Sequence, residues 1–154
     1  MVTLQEASRE DTPVLRQLLN LHLHDLSEFE PADLGADGRF AYPYLDLYWT
    51  EVGRHAFLVR VESALAGFAL VNTHVYLEGS ERSLAELFIA RRYRGRGVGR
   101  HVVRDVLGRS PGVWEIRVQE RNRPARAFWR AVLEESEPQR HPEWDGVIYQ
   151  VRSG

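Results

Sequence analysis

A chain of 154 residues with 44% hydrophobic content and a formal charge of -2 is long enough to bury most of its apolar surface as one domain, without disulfides or a structural metal. It has no cysteine, no apolar run near the roughly 20 residues that span a bilayer and no signal-peptide pattern in Met1 to Gln5, so a cytoplasmic protein away from membranes is expected. All 20 basic residues are arginine, as a genome biased towards arginine codons would give.

In chain order, Val2 to Glu6 alternates apolar and polar side chains, as a first strand does. Ser8 offers a helix cap, Glu10 and Asp11 complement the positive helix end, and Leu15, Leu18, Leu19 and Leu26 supply an apolar face, which predicts a helix over residues 9 to 26. Pro13 is tolerated near the first turn. His22 and His24 lie on different faces of that helix, so they cannot chelate one ion together, and both read as ordinary helix residues. Residues 30 to 40 carry turn formers, and Tyr42, Tyr44, Leu45, Leu47, Tyr48 and Trp49 form a short aromatic helix.

Ala56 to Val61 and Leu65 to Val75 make a hairpin around Glu62-Ser63. A polar turn at residues 76 to 82 leads to a fourth strand, Leu84 to Ala90. Val98, Val102, Val103, Val106 and Leu107 have helical spacing, and Ser110-Pro111-Gly112 ends that helix. Val113 to Val118 reads as a fifth strand, and Ala125, Phe128, Trp129, Val132 and Leu133 give the next helix one apolar face. Glu134 to Glu143 is polar and hard to assign, and Val147 to Val151 is a final strand. No repeat or second domain interrupts residues 1 to 154.

Charge is divided along the chain. Asp25, Glu28, Glu30, Asp33, Asp37, Asp46 and Glu51 face only Arg39 in their segment, whereas Arg82 to Arg130 is dominated by arginine. A basic half suits an anionic ligand and an acidic half a cationic one, although charge runs also serve simply as solvated faces.

Between the fourth strand and the following helix lies Arg91-Arg92-Tyr93-Arg94-Gly95-Arg96-Gly97-Val98-Gly99-Arg100. Glycines 95, 97 and 99 let a ligand reach the backbone, and the first N–H groups of the helix face outward without partners, so the junction is suited to a phosphate. Arg94, Arg96 and Arg100 add planar donors that can grip a diphosphate. A dinucleotide fingerprint fails here, because Val102 stands where the third glycine belongs. A P-loop fails too, since there is no lysine. The plainer alternative is an arginine-rich surface turn.

Arg94-x-x-Gly97-x-Gly99 resembles the acyl-coenzyme A pyrophosphate loop of the GNAT superfamily of N-acetyltransferases, Gln/Arg-x-x-Gly-x-Gly/Ala. Ala85-Glu86-Leu87-Phe88-Ile89 resembles that family's fourth strand, and Asn122-Arg-Pro-Ala125-Arg-Ala-Phe128-Trp129 is similar to its Asn-x-x-Ala-x-x-Phe/Leu-Tyr helix. The resemblance is clear over residues 83 to 133.

It implies a single-domain α/β fold with a mixed, largely antiparallel sheet of six or seven strands, about four flanking helices, and strands four and five splayed apart. It implies acetyl transfer from acetyl-coenzyme A to a primary amine in a ternary complex, without metal. A GNAT fold that senses acyl-coenzyme A without catalysis is the alternative. The implied cofactor contacts are the strand-four backbone at Leu87, Phe88 and Ile89, the loop from Arg94 through Gly95, Arg96, Gly97, Val98, Gly99 and Arg100, then Asn122 and Phe128. Asn122 also reads as a helix cap.

For the base, Glu86 sits on strand four amid apolar neighbours, which suits a proton acceptor. Glu115 is the rival, in a Trp114-Glu115-Ile116-Arg117 segment that resembles the Leu-Glu-Val-Arg of ribosomal-protein alanine acetyltransferases. It could instead pair with Arg117, which shares its strand face. Phe128-Trp129 departs from the family's Phe/Leu-Tyr, so the phenol that protonates a departing thiolate there is missing at this position and a water or another hydroxyl has to do that work. The expected partner is a small-molecule or peptide amine, cationic in view of the acidic aromatic segment from Asp25 to Glu51. Nucleic acid and membrane are not expected, and a homodimer is left open.

Overall fold

The computed structural model describes residues 1–154. Seven strands form one sheet: β1 (Val2–Glu6), β2 (His55–Val61), β3 (Ala64–Asn72), β4 (Arg82–Ile89), β5 (Gly112–Gln119), β6 (Gln139–His141) and β7 (Trp144–Ser153), in the order β1-β2-β3-β4-β5-β7-β6. Every neighbouring pair is antiparallel except β4 and β5. The helices are α1 (Thr12–Leu26), α2 (Val98–Arg109) and α3 (Arg123–Val132), and none is long and apolar enough to cross a membrane.

Two cores sandwich the sheet. On one face Val98, Val102, Val103 and Val106 of α2 and Trp129 of α3 pack against Val59, Ala69, Val71, Trp114, Ile116 and Val118. On the other, Leu15, Leu18 and Leu19 of α1 join Leu45 and Tyr48 against Leu58, Phe68, Leu70 and Phe88. Adjacent pairs such as Leu58/Val59 and Phe68/Ala69 thus divide between the faces, as the period-two pleat requires.

The element boundaries differ from the sequence reading in ways that local bonding explains. Arg9–Asp11 is a 3-10 turn preceding α1, with the Ser8 N–H donating to the Asp11 carboxylate at 2.9 Å. The aromatic segment is a 3-10 helix, Leu45–Trp49, rather than an α-helix. Its buried residues, Leu45 and Tyr48, are three apart, and a 3-10 geometry stacks i and i+3 on one side. The third strand stops at Asn72 instead of continuing to Val75. There the Asn72 side chain takes the His74 N–H at 3.1 Å, and the Tyr76 and Leu77 N–H groups turn to Glu115. The tail that resisted assignment holds β6, a three-residue edge strand paired to β7.

Two irregularities shape the centre of the sheet. The β4–β5 ladder is confined to Arg82↔Trp114 and Ser83↔Glu115, so from Leu84 onward β4 has a strand partner only on its β3 side. Between β3 and β4 the register steps from Leu70↔Glu86 to Val71↔Leu84, leaving Ala85 as an extra residue. That bulge reverses the phase of β4: Leu84 packs with the α2 side, while Glu86, two residues on, lies opposite Leu70 on the α1 side. Bulges commonly re-aim a side chain in this way beside functional sites.

Candidate active site

The parting of β4 and β5 opens a cavity of about 1330 Å³ that passes between the strands and is lined from both faces of the sheet. One end is formed by the glycine loop, the start of α2 and α3. The other is formed by the last turns of α1, Tyr42, Tyr44, Arg54, His74, Glu86, Arg117 and Trp144.

At the first end the chain leaves β4 through a 3-10 turn, Arg91–Tyr93, and reaches α2 by way of Gly95 at φ 75° and Gly97 at φ 79°. These values lie in the left-handed region that glycine enters without a Cβ penalty. The first backbone bond into α2 is His101 N–H to Gly97 C=O at 3.1 Å. The N–H groups of residues 95 to 100 therefore have no acceptor within the protein and line a concave turn, the geometry of an anion site at a helix start. Gly99 has a different role from the one the sequence implied. It has ordinary φ, and a Cβ there would come within 2.9 Å of the Phe128 ring, so it permits α2 to pack on α3.

The arginines of this region are partly committed to the protein itself. Arg94 donates from Nε to the Ile89 carbonyl at 2.6 Å and from Nη2 to Asp25 at 2.7 Å, and Arg91 reaches the other Asp25 oxygen at 3.0 Å. Burial alone would raise the Asp25 carboxyl, but Arg94 and Arg91 outweigh it and hold it below the usual carboxylate range. The Ile89 carbonyl, expected to be open to a ligand, thus already accepts one hydrogen bond from Arg94. Arg96 lies exposed beside Tyr93, and Arg100 makes only a 3.4 Å contact to the Ala131 carbonyl.

Asn122 caps α3, its Oδ1 accepting the Ala125 N–H at 3.1 Å, and it also lines the cavity. Phe128 and Trp129 sit edge to face at 4.9 Å, with Trp129 buried against the cavity wall. These features fit acyl-coenzyme A. The unpaired N–H groups suit a diphosphate, the bare edge of β4 at Leu87 suits an amide-bearing arm, and the cavity joins the two, whereas the Phe88 backbone faces its partner Phe68 on β3.

At the second end the two candidate carboxylates separate. Glu86 lines the cavity, its side chain 19% exposed, with Oε1 3.0 Å from His22 Nε2. Tyr42 stands nearby, and burial, together with the Glu86 charge, pushes its hydroxyl well above the ordinary tyrosine range, so it stays protonated. The Tyr48 hydroxyl is buried without a partner of normal hydrogen-bond geometry, with Tyr42 and Asn72 close by.

Glu115 does not face the cavity, which corrects its candidacy as a base. Its side chain has no exposed surface and accepts from Tyr76 N–H and Leu77 N–H, each at 2.8 Å, and from Arg117 Nη1 at 2.7 Å. Burial would raise this carboxyl, but those donors prevail and hold it below its ordinary value. An ionised carboxylate that is already saturated with donors is a poor proton acceptor. It is a clasp that fixes the residue 76–78 turn to β5, and the Arg117 pairing anticipated from the sequence is present.

His22 is the residue that the sequence reading passes over. Its spacing marks it as an ordinary helix residue, yet it is buried, in contact with Glu86, and placed in the cavity wall. The available signal is a polar residue on the apolar stripe, since His22 follows Leu15, Leu18 and Leu19 at helical spacing. The acidic segment also differs from expectation. Asp25, Asp37, Asp46 and Glu51 pair with arginines, while Glu30 accepts only from the neutral amide of Gln119, so the segment keeps uncompensated charge at part of its length rather than throughout.

Residues 15–133 match the model of the acetyltransferase (GNAT) family. The chain belongs to that family and is an acyltransferase of GNAT type. Among solved structures it is similar to an acetyltransferase from Thermus thermophilus, at 18% identity and TM-score 0.77 over 99% of this chain and 97% of that one. It is similar to PaiA N-acetyltransferase from Thermoplasma acidophilum in complex with coenzyme A, at 11% identity and TM-score 0.65 over 99% of each chain. It is also similar to spermidine N-acetyltransferase from Vibrio cholerae in complex with CoA and spermine, at 15% identity and TM-score 0.63 over 97% of this chain and 92% of that one. At these identities the likeness is one of fold. No curated protein sequence matches the chain significantly.

Proposed function

We propose that the chain moves an acetyl group from acetyl-coenzyme A to a primary amine by direct attack within a ternary complex. The observation that carries this reading is one cavity with unpaired backbone donors at one end and the Glu86 carboxylate at the other. The bound thioester supplies an activated acyl carbon and a thiolate leaving group. The N–H groups of residues 95 to 100, with Arg96 and Arg100, hold the diphosphate. The free edge of β4 at Leu87 and the side chains of Asn122 and Phe128 orient the remainder. Holding both reactants still accounts for much of the acceleration expected of such a site.

Glu86 accepts a proton from the amine, directly or through one water, as the amine nitrogen bonds to carbon. Trp129 cannot protonate the thiolate, because an indole N–H donates a hydrogen bond without titrating in the usable range. A coenzyme A thiol is acidic enough to leave with water as the proton source. The acceptor enters between Tyr42, Tyr44 and the lip at Glu28 and Glu30, which favours an organic cation.

Titration calorimetry with acetyl-coenzyme A, followed by an amine panel read by released thiol, tests this reading. Binding together with turnover on a cationic amine is expected. Tight binding without turnover on any amine would favour a sensor of acyl-coenzyme A, a reading for which Trp129 in the place of tyrosine is the supporting observation.

A further inference from the structure

His22 has no part in the reading above, and its surroundings are unusual for a helix residue. It projects from α1 into the cavity wall, with its side chain 11% exposed. Its ring meets Phe68 edge-on at 5.7 Å and Phe88 at 5.9 Å, so two aromatic side chains on adjacent strands fix its plane. Its Nε2 lies 3.0 Å from Glu86 Oε1. An ionised carboxylate offers only lone pairs, so in a neutral ring Nε2 must carry the proton and Nδ1 the lone pair.

We infer that His22 is the positioning residue for Glu86: by donating from Nε2 to Oε1 it fixes the carboxylate rotamer and leaves Oε2 as the oxygen that receives the amine proton. This rests on the reading of Glu86 as the base. The physical need is plain. Glu86 reaches this face only through the bulge at Ala85, and on a strand flanked by Phe88 and Leu70 a glutamate with three free torsions has no other ionic partner. A base that wanders by an ångström loses much of its advantage. The aromatic pair holding the imidazole and the imidazole holding the carboxylate make a fixed chain from β3 through α1 to β4. It resembles in logic the third group that orients a catalytic base in other enzymes.

The groups that face Glu86 are His22 from α1 and the Tyr42 and Tyr48 hydroxyls from the aromatic segment, with Arg54 beyond the tyrosines. Both tyrosines are held above their ordinary range, chiefly by burial. Loss of the imidazole removes the hydrogen bond that Glu86 accepts and its one ion-pairing partner, and a carboxylate that loses a donor is less favoured in its charged form.

Three variants test this: His22→Leu, His22→Gln and Glu86→Gln, with kcat followed across pH on the best amine of the panel and acetyl-coenzyme A affinity by calorimetry. His22→Leu should lower kcat by about 10- to 100-fold and move the acid limb of the profile to higher pH, with acetyl-coenzyme A affinity within about twofold of the native protein. His22→Gln keeps a donor near the Nε2 position and should restore kcat to within about threefold, with the acid limb back in place. A His22→Leu protein that binds acetyl-coenzyme A normally and keeps both kcat and its acid limb, while Glu86→Gln is impaired, would overturn the positioning role and leave the base assignment standing. A loss equally large in His22→Leu and His22→Gln, with the limb unmoved, would also overturn it, because the ring would then serve only packing. An unimpaired Glu86→Gln would instead remove the base reading on which the inference stands.

Discussion

The two ends of the cavity are built from different materials. The donor end is mostly main chain, formed by unpaired N–H groups of residues 95 to 100 and the bare edge of β4. The acceptor end is mostly side chain, gathered from α1, the aromatic segment, β4 and β5. A main-chain site tolerates most side-chain changes and fails chiefly when its backbone path is blocked. A side-chain site fails one residue at a time. The contrast also explains why a local motif announces the donor end and no motif announces the acceptor end.

The sharpest way to test the contrast is to remove a single atom type from the acceptor end. Glu86→Gln keeps shape and removes the proton acceptor, so the rate at neutral pH should fall about 10²–10⁴-fold, with acetyl-coenzyme A affinity unchanged. Part of the loss should return at high pH, where free amine is plentiful. Unaltered steady-state kinetics would place the base elsewhere.

Glu115 supplies the control carboxylate, one that stabilises rather than reacts. Glu115→Gln strands Arg117 in a largely buried position and should cost about 3 kcal/mol, lowering the melting temperature by roughly 6–12 °C. Activity per folded molecule should be preserved. Because its folded pKa lies below the ordinary 4.5, the stability it contributes is complete above that pH and is lost as pH falls through the folded value. The gap between native and variant melting temperatures should therefore narrow below pH 4.5, and a gap that widens on acidification would contradict the clasp.

At the donor end the corresponding experiment blocks the backbone. Gly97→Glu places an anion in the concave turn and a Cβ at φ 79°, so acetyl-coenzyme A should bind at least tenfold more weakly, about 1.4 kcal/mol. Calorimetry on the folded variant decides it, and undiminished affinity would move the diphosphate away from the loop.

The smallest effect is expected where the chain departs from its family. If water protonates the thiolate, Trp129→Phe and Trp129→Tyr should each stay within a few-fold of native kcat. A hundredfold gain in Trp129→Tyr would show that a missing acid limits the native protein.

The local elements were legible wherever a pattern repeats along the chain. The period-two strands, the apolar stripe of α1 and the glycine junction before α2 all stand in the sequence, because pleat, helix and left-handed turn each impose a spacing on neighbouring residues. Boundaries that depend on distant partners were not legible. The third strand stops at Asn72 because Glu115, 39 positions beyond Tyr76, captures the next turn. The 3-10 form of Leu45–Trp49 follows from what lies beneath Leu45 and Tyr48.

The division is clearest at Glu86. Sequence alone determined that this chain carries a glutamate on an apolar strand ahead of a glycine-rich turn. Only the tertiary structure decided which face it occupies, because the extra residue at Ala85 is defined by pairing with β3 and leaves no mark in the spacing of β4 itself. The same holds for His22, an isolated histidine on a helix until folding brings it 3.0 Å from a carboxylate sixty-four residues away. A spacing is a property of one segment, whereas a partner belongs to two, and only the packed sheet brings the two together.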